Sequence, residues 1–274
     1  VQIHESVFSL ELFHGPTLAF KDFGARFLSG LLSKFAETND QETTVLVATS
    51  GDTGSAVAHG FYNVPGTRVV VLYPSGKVSE LQEKQFTTLG GNIKALEVDG
   101  TFDDCQRLVK QAFADENLRR GLSLTSANSI NIARLLPQSF YYLFGAAQAP
   151  RNLPFIFSVP SGNFGNLTAG VLAQRMGLPI HQFLAATNRN DVVPSYLKTG
   201  SYQPRPSLPT ISNAMDVGNP SNFDRLVNLF GSWEDMTNKI KGYAYSDEET
   251  KQILLAIFEQ HRYILDPHGA VGYL

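Results

Sequence analysis

The 274-residue sequence has little cysteine, little net charge and no long apolar run. Cys105 is the single cysteine, which excludes an internal disulfide and any metal site built from several thiolates. The net charge of −3 offers no basic surface for nucleic acid or for an anionic membrane. No segment approaches the roughly 20 apolar residues that a membrane-spanning helix needs. We therefore expect a protein without nucleic-acid or membrane partners, and the low cysteine content agrees with a reducing, cytoplasmic location.

The sequence also lacks the patterns of a metal site and of two common nucleotide sites. The six histidines are scattered without the spacing of metal ligands, so we expect no metal site. The glycine patterns G-x-G-x-x-G and G-x-x-x-x-G-K-[ST] do not occur in the glycine-containing loops, so a dinucleotide or P-loop nucleotide site lacks its fingerprint.

What the sequence does contain is an alternation of short β-rich runs and helical patterns. Strands are predicted at residues 45–48, 68–72, 93–98, 155–159 and 183–186. Helices are predicted at 55–62, 79–88, 102–113, 132–148, 166–176, 223–230 and 247–261, and the three prolines of 199–209 predict a loop. This alternation predicts an α/β fold with twisted, mostly parallel sheets flanked by helices. We expect a smaller α/β domain over 40–130, inserted in a larger domain formed by 1–39 and 131–274.

Two loops combine glycine with polar side chains, and each follows an apolar strand and opens a helix. The first reads Thr-Ser-Gly-Asp-Thr-Gly-Ser at 49–55 and the second Ser-Gly-Asn-Phe-Gly-Asn at 161–166. Glycine lets the backbone approach a ligand closely, and the N–H groups at the start of a helix favour an anion. One such loop is as well explained by a plain strand–turn–helix junction. Two of them favour anion binding at the carboxyl ends of the strands.

Lys21 lies among apolar and aromatic neighbours, between Phe20 and Phe23. An apolar setting disfavours the charged ammonium form, as a lysine that forms a Schiff base with a carbonyl compound requires. The alternative is a surface lysine whose stem lies along the two rings. Residue types alone favour that second interpretation, so the lysine needs a wider context.

Five segments together resemble the threonine synthase family, and they follow one another in the family's order. They are His-Gly-Pro-Thr-Leu-Ala-Phe-Lys-Asp at 14–22, the segment at 48–56, Gly-Asn-Phe-Gly-Asn at 162–166, Asn-Ala-Met-Asp-Val-Gly-Asn-Pro-Ser-Asn at 213–222 and Asp-Pro-His at 266–268. The resemblance covers essentially the whole chain. It implies a pyridoxal 5′-phosphate (PLP) enzyme of fold type II, the fold of the tryptophan synthase β chain. The implied reaction converts O-phospho-L-homoserine and water to L-threonine and phosphate.

The resemblance also implies a role for each matching position. Lys21 would be the catalytic residue and would hold PLP as a Schiff base. Cofactor contacts would come from Asp52 and, around the phosphate, from Gly162, Asn163, Phe164, Gly165 and Asn166. Substrate contacts would come from Ser50, Gly51, Thr53, Gly54, Asn128, Ser129 and Arg134. Asp52 stands where many relatives of this fold carry asparagine.

Alternatives to the threonine synthase interpretation stay open. One is a related PLP enzyme, either a serine/threonine dehydratase or a phospho-lyase. The other is an inactive PLP-binding module of the same fold. A dehydratase needs no site for a second phosphate, so the segment at 128–134 discriminates between the enzymes. Both ends of the sequence break off abruptly, so we expect a fragment without the N- and C-terminal regions of the family. The sequence is compatible with a monomer or a homodimer.

Overall fold

The computed structural model describes residues 1–37, 42–150 and 154–274, which form two compact units. The middle unit is Glu11–Pro137, and the terminal unit combines Val1–Leu10 with Gln138–Leu274. The predicted domain boundary between residues 39 and 40 lies outside the described residues, and the predicted division stays a prediction. The middle unit includes residues 11–37 because helix α1 (Lys21–Ala36) packs on helix α2 (Asp52–Phe61).

The middle unit contains a four-stranded sheet whose strands all run parallel, in the order β5-β4-β3-β6. Its strands are β3 (Thr43–Ala48), β4 (Thr67–Pro74), β5 (Ile93–Val98) and β6 (Ser123–Ser126). Besides α1 and α2, its helices are α3 (Glu80–Thr87), α4 (Phe102–Ala114), α5 (Glu116–Gly121) and α6 (Ile132–Leu135). The parallel pairing confirms the sheet type that the alternation of strands and helices predicts.

Alternate residues of β3 face two separate apolar clusters. Val45 and Val47 pack with residues of α1 and α2, including Leu28. Leu46 and Ala48 belong to a second cluster that contains Cys105 and Val109 of α4. Because successive side chains of a strand point to opposite faces, the sheet is covered by helices on both sides. The continuous apolar run of β3 follows from that double burial.

The terminal unit has a three-stranded parallel sheet in the order β7-β8-β9 and a short antiparallel pair, β1 with β2. Its strands are β1 (Gln2–His4), β2 (Val7–Phe8), β7 (Phe155–Pro160), β8 (Ile180–Thr187) and β9 (Ile240–Ala244). Its helices are α7 (Ser139–Gln148), α8 (Gly165–Arg175), α9 (Val192–Thr199), α10 (Phe223–Phe230), α11 (Trp233–Lys239), α12 (Asp247–His261) and α13 (Pro267–Tyr273). Throughout the described ranges, no helix has the length and apolar character needed to cross a membrane.

The single helix predicted over 132–148 is wrong. The segment forms α6, a 3-10 helix at Leu136–Gln138 and then α7. Pro137 causes the interruption, because its ring removes a backbone N–H and restricts the residue before it. The strand at 93–98 and the helices at 223–230 and 247–261 are confirmed. The loop predicted over 199–209 is confirmed except at Thr199, which is the last residue of α9.

Candidate cofactor and substrate site

The strand order of the middle sheet reverses beside β3. The chain passes from β3 to β4 and β5 on one side and later returns to β6 on the other. In open α/β sheets, ligands bind at such a reversal, beyond the carboxyl ends of the strands. Asn128, which follows β6, contacts the end of β3: its Nδ2 donates to the Ala48 carbonyl at 2.8 Å and its Oδ1 accepts from the Ala48 amide at 3.1 Å. The loop after β3 and the segment after β6 therefore lie together.

The loop after β3 is shaped by the buried side chain of Thr49. Its Oγ1 accepts from the Gly51 amide at 2.9 Å and from the Gly54 amide at 2.8 Å. Among the residues that the structure describes, none bonds the hydroxyl groups of Ser50 and Thr53. Those two hydroxyls therefore remain available to a ligand at the end of β3.

The turn before Lys21 is held by its neighbour Asp22. The Asp22 carboxylate accepts from the Thr17 amide at 3.0 Å and from the Thr17 hydroxyl at 2.6 Å. Gly15 has no room for a side chain, since a Cβ would lie 2.2 Å from Asp22 Oδ2. Lys21 begins α1, and its Nζ lies 5.1 Å from the centroid of the Phe20 ring. The turn in the segment at 14–22 thus places Lys21 as the first residue of α1.

Lys21 and Asp52 form an ion pair, with Lys21 Nζ 3.1 Å from Asp52 Oδ2. The side chains are only 18% and 22% exposed, so Lys21 is not the surface lysine of the alternative interpretation. The other carboxylate oxygen, Asp52 Oδ1, accepts from Gln82 Nε2. The structure therefore brings two of the predicted residues into direct contact and adds a third side chain that the sequence did not indicate.

Arg134 is buried, with 2% of its surface exposed. Its Nη1 donates to the Ala127 carbonyl at 2.7 Å. Gly24 of α1 packs against its backbone, where a Cβ would lie 2.7 Å from the Arg134 carbonyl oxygen. The Arg134 side chain is therefore packed inside the unit. Ser129 and Asn128 lie on the same segment and are partly buried.

In the terminal unit, the second loop follows β7 and opens α8. Phe164 precedes the helix with a left-handed φ of 59°, and its ring is buried. Within the described part of the chain, no acceptor bonds the backbone N–H groups of Gly162, Phe164, Gly165 and Asn166. Unpaired N–H groups at a helix start, together with the helix dipole, create a site for an anion such as phosphate.

The side-chain amides of this loop bond protein groups. Asn163 Oδ1 accepts from the Ser221 amide at 2.6 Å, and the Asn163 carbonyl accepts from Asn222 Nδ2 at 3.0 Å. Asn166 Nδ2 donates to the Pro160 carbonyl at 2.8 Å, and its Oδ1 accepts from the Leu167 amide at 3.0 Å. The two asparagines thus build the loop, and the backbone N–H groups are left to face a ligand.

Gly162 rests on the 3-10 helix Asn213–Met215, where a Cβ would lie 2.6 Å from Met215 Cα. The Ala214 amide of that helix donates to His268 Nε2 at 3.3 Å, and His268 Nδ1 lies 2.8 Å from Asp266 Oδ2. Burial opposes ionisation of Asp266, but the hydrogen bonds from His268 and from backbone amides outweigh it and lower its pKa. The segments at 213–222 and 266–268 therefore support the loop.

A buried carboxylate anchors the same segment. Asp216 Oδ2 accepts from the Thr210 amide at 3.0 Å, and Oδ1 accepts from Asn188 Nδ2 at 2.9 Å and from the Thr210 hydroxyl at 2.7 Å. Burial nevertheless raises the pKa of Asp216, because the charged form is poorly solvated there. These bonds fix the chain direction just after the residues that contact Gly162.

Similarity to known proteins identifies the family. The family model described as pyridoxal-phosphate dependent enzyme matches residues 3–274. The chain belongs to this family. Family membership and the solved relatives confirm the predicted fold class, and pyridoxal phosphate is the cofactor that gives the family its name.

Several threonine synthases are similar to this member of the family. The enzyme of Haemophilus influenzae is 52% identical over 276 residues, which cover 99% of this chain and 64% of that protein. The enzyme of Escherichia coli is 53% identical over 275 residues, covering 99% of this chain and 63% of that protein. The crystal structure of the Escherichia coli enzyme superposes with a TM-score of 0.93 at 51% identity, over 100% of this chain and 64% of that one. The chain thus spans about 64% of the length of the relatives it matches.

The PLP-bound threonine synthase of Brucella melitensis superposes with a TM-score of 0.91 at 37% identity, over 100% of this chain and 65% of that one. The residues of this PLP-family chain suit that cofactor. In the middle unit, the partly buried amine of Lys21 is the kind of group that an aldehyde requires. In the terminal unit, the backbone amides of Gly162 and Gly165 are the kind that a phosphate requires. Across the described ranges, no three His, Cys, Asp or Glu side chains are grouped as metal ligands would be.

Several residues that shape the site were not predicted from the sequence. Thr49 carried a weak signal, since a threonine directly after a buried strand can bond the turn that follows. Ser221 lies in a segment that resembles the family, but its role depends on a contact with Asn163 far along the chain. Gln82 and Asp216 carried no signal in their own surroundings, because each acts through a tertiary contact.

Proposed function

We propose that this chain is the PLP-binding part of a threonine synthase, which converts O-phospho-L-homoserine and water to L-threonine and phosphate. The observation that carries the proposal is the pairing of two segments at the carboxyl edge of the middle sheet, through Asn128 and Ala48, in the same unit as Lys21. A substrate with an amino-acid end and a phosphate end needs two such binding segments. The similarity to threonine synthases along 99% of the chain supports the same substrate.

In this proposal Lys21 bonds the cofactor covalently, and the backbone N–H groups at 162–166 bind its phosphate. Asp52 lies next to the lysine amine and accepts a hydrogen bond from it. Bound PLP supplies the electron sink that makes the substrate Cα–H acidic. The protein's contribution is to hold the groups in place and to move protons.

The chain's own residues bind the amino-acid end of the substrate and transfer its protons. The Ser50 and Thr53 hydroxyls, with the loop formed by Gly51 and Gly54, bind the amino-acid end of the substrate. The substrate's amine first displaces Lys21 from the cofactor. The freed Lys21 Nζ then accepts the Cα proton, and the Asp52 carboxylate stabilises the ammonium group that results.

The phosphate end of the substrate belongs to the segment after β6. Asn128, Ser129 and Arg134 orient it there, and they stabilise its charge as the Cγ–O bond breaks. Departure of the phosphate from Cγ also requires loss of a Cβ proton, for which Lys21 Nζ is the base, and Cγ then gains a proton to become the methyl group. Water adds its hydroxyl to Cβ, and Lys21 returns the proton to Cα. A cytoplasmic location belongs to the same proposal, and the buried free thiol of Cys105 is compatible with it.

The test is to load the chain with PLP and to measure phosphate release and threonine formation from O-phospho-L-homoserine, with Lys21→Ala as the control. We expect both products in equal amounts, and none from the variant. Formation of 2-oxobutanoate from threonine without phosphate release would select the dehydratase. A PLP-loaded chain that turns over neither substrate would select the inactive binding module.

A further inference from the structure

Gln82 lies against Asp52 on the side opposite Lys21. Gln82 Nε2 donates to Asp52 Oδ1, while Lys21 Nζ donates to Asp52 Oδ2 at 3.1 Å. Each carboxylate oxygen therefore has its own donor, one neutral amide and one ammonium group. The two contacts together define the plane of the carboxylate, because a rotation that kept one bond would lose the other.

The orientation of the Gln82 amide is itself fixed. Its Oε1 accepts from the Ser79 hydroxyl at 3.0 Å, so its Nε2 must face Asp52. Ser79 is the N-cap of α3 and also accepts from the Gln82 backbone amide. The Gln82 carbonyl in turn accepts from the Ser55 hydroxyl of α2 at 3.2 Å, which ties the start of α3 to the helix that carries Asp52.

Gly51 makes this approach feasible. A Cβ at Gly51 would lie 2.3 Å from Gln82 Oε1 and 2.7 Å from its Cδ, and the backbone there has a φ of +146° that suits glycine alone. The glycine next to Asp52 thus leaves the space that the glutamine amide occupies. The hydrogen bond from Gln82 Nε2 to Asp52 Oδ1 is therefore fixed by Ser79, which orients the amide, and by Gly51, which leaves room for it.

From this arrangement we propose that Gln82 is a positioning residue, which holds the Asp52 carboxylate turned toward Lys21 and so sets how firmly that carboxylate binds the Lys21 ammonium group. The proposal rests on the function proposed for Lys21. Loss of the Gln82 amide removes one of the hydrogen bonds that direct the Asp52 carboxylate, and the ammonium group is then less stabilised. With a carboxylate at position 82, two negative charges would face one lysine. Gln82 provides an uncharged donor, which adds no second negative charge beside Lys21.

The test measures the reactivity of Lys21 in the cofactor-free chain, by reductive methylation with formaldehyde at a fixed pH near 8 followed by peptide mass mapping. Only the uncharged amine reacts, so the rate reports the protonation of Lys21. The exposed Lys198 in the same sample is the reference. Gln85→Met is the matched control, because Gln85 lies about one turn further along α3, beyond the glutamine that bonds Asp52.

For Gln82→Met we expect Lys21 to be labelled several-fold faster, about 3- to 10-fold after allowance for partial exposure. Gln82→Glu should label more slowly than the parent, because the second carboxylate strengthens the hold on the proton. The double variant Asp52→Asn/Gln82→Glu should return toward the parent rate. In it the amide introduced at position 52 donates to the carboxylate introduced at position 82. The oxygen of that amide accepts from Lys21, so one negative charge remains.

An unchanged labelling rate of Lys21 in Gln82→Met, together with lowered thermal stability, would show that Gln82 only packs α3 against α2. That result would overturn the proposal. If Gln82→Met does not fold, the single Gln82→Glu variant and its double partner decide the question, since equal rates in both would also overturn it. The measurement needs neither PLP nor substrate. A parent chain that fails to acquire PLP at Lys21 would contradict the proposed function and leave this result standing.

Discussion

The side chain of Asn163 and the backbone of Ser221 are joined by a 2.6 Å hydrogen bond, although the residues are 58 positions apart in the chain. The Ser221 hydroxyl adds a second bond to the same asparagine oxygen at 3.1 Å. The loop at 162–166 is therefore supported by a distant segment and not by its own turn alone. Any cofactor affinity of this loop depends on both.

We predict that borohydride reduction of the PLP-loaded chain fixes a cofactor-sized mass on Lys21. The reason is its partly buried amine at the start of α1, next to Asp52. Peptide mass mapping is the measurement, and Lys21→Ala should lose the adduct while keeping a similar melting temperature. An adduct on Lys77 or Lys84 would refute the assignment.

Gly162→Ala should weaken PLP binding about 10- to 100-fold, because one or two charge-assisted bonds of about 1.5–3 kcal/mol are disturbed. A Cβ there would lie 2.6 Å from Met215 Cα, so the loop has to move. Titration of the cofactor-free chain with PLP gives the dissociation constant. Gly30→Ala is the control, since its Cβ meets nothing within 4 Å, and it should stabilise α1 slightly. Equal affinity in both variants would contradict the role of the loop.

In the PLP-loaded chain, where the cofactor's own phosphate occupies the loop at 162–166, Arg134→Met should abolish the stabilisation by added inorganic phosphate. In the parent, phosphate bound to the folded state raises the melting temperature with concentration. The variant should also be less stable by about 1–3 kcal/mol, because the Ala127 carbonyl loses a buried donor. Arg119→Met, on the surface of α5, is the control. A phosphate response that survives in Arg134→Met would show that the arginine is structural.

Asp216 should make the stability of the chain depend on pH. Its pKa is raised in the folded protein by burial, so the folded state binds the proton more tightly than the unfolded state. Its contribution to stability is therefore full below the ordinary carboxyl value of about 3.9 and is lost as pH rises through the raised pKa. The difference in unfolding free energy between the parent and Asp216→Asn should shrink from pH 4 to pH 7 in urea titrations. Glu259→Gln, an exposed carboxyl on α12, should show no such trend, and a difference that grows with pH would contradict the sign.

Much of the fold could be predicted because the two sheets are parallel and their strands carry apolar runs. Strand β3 appears in the sequence as a continuous apolar run because it is buried on both faces. Strand β6 could not be predicted in the same way. It has four residues with one apolar side chain, and among the described strands it pairs with β3 alone. Such a strand is specified by its neighbour and has no periodicity of its own.

The residues of the site also differ in whether the sequence alone could predict them. The loops after β3 and β7 could be predicted because glycine and short polar residues after an apolar run are local signals. The contact of Gln82 with Asp52 joins residues 30 positions apart, and nothing in either segment indicates the other. The burial of Arg134 was equally hidden, since an arginine in a helical pattern gives no sign of the packing above it. Both depend on how α1, α2 and α3 are arranged around the sheet.

The position of β6 has a consequence for the order in which this protein is made. Asn128 reaches Ala48 across 80 residues of intervening chain, and β6 is the last strand of its sheet to leave the ribosome. At a synthesis rate of about 5–20 residues per second, the turn before Lys21 and the loop after β3 are made several seconds before β6 and Asn128. During that interval one edge of β3 is unpaired and open to wrong pairing. Pairing of β6 with β3 thus completes the edge that we propose binds substrate and protects the nascent sheet at the same time.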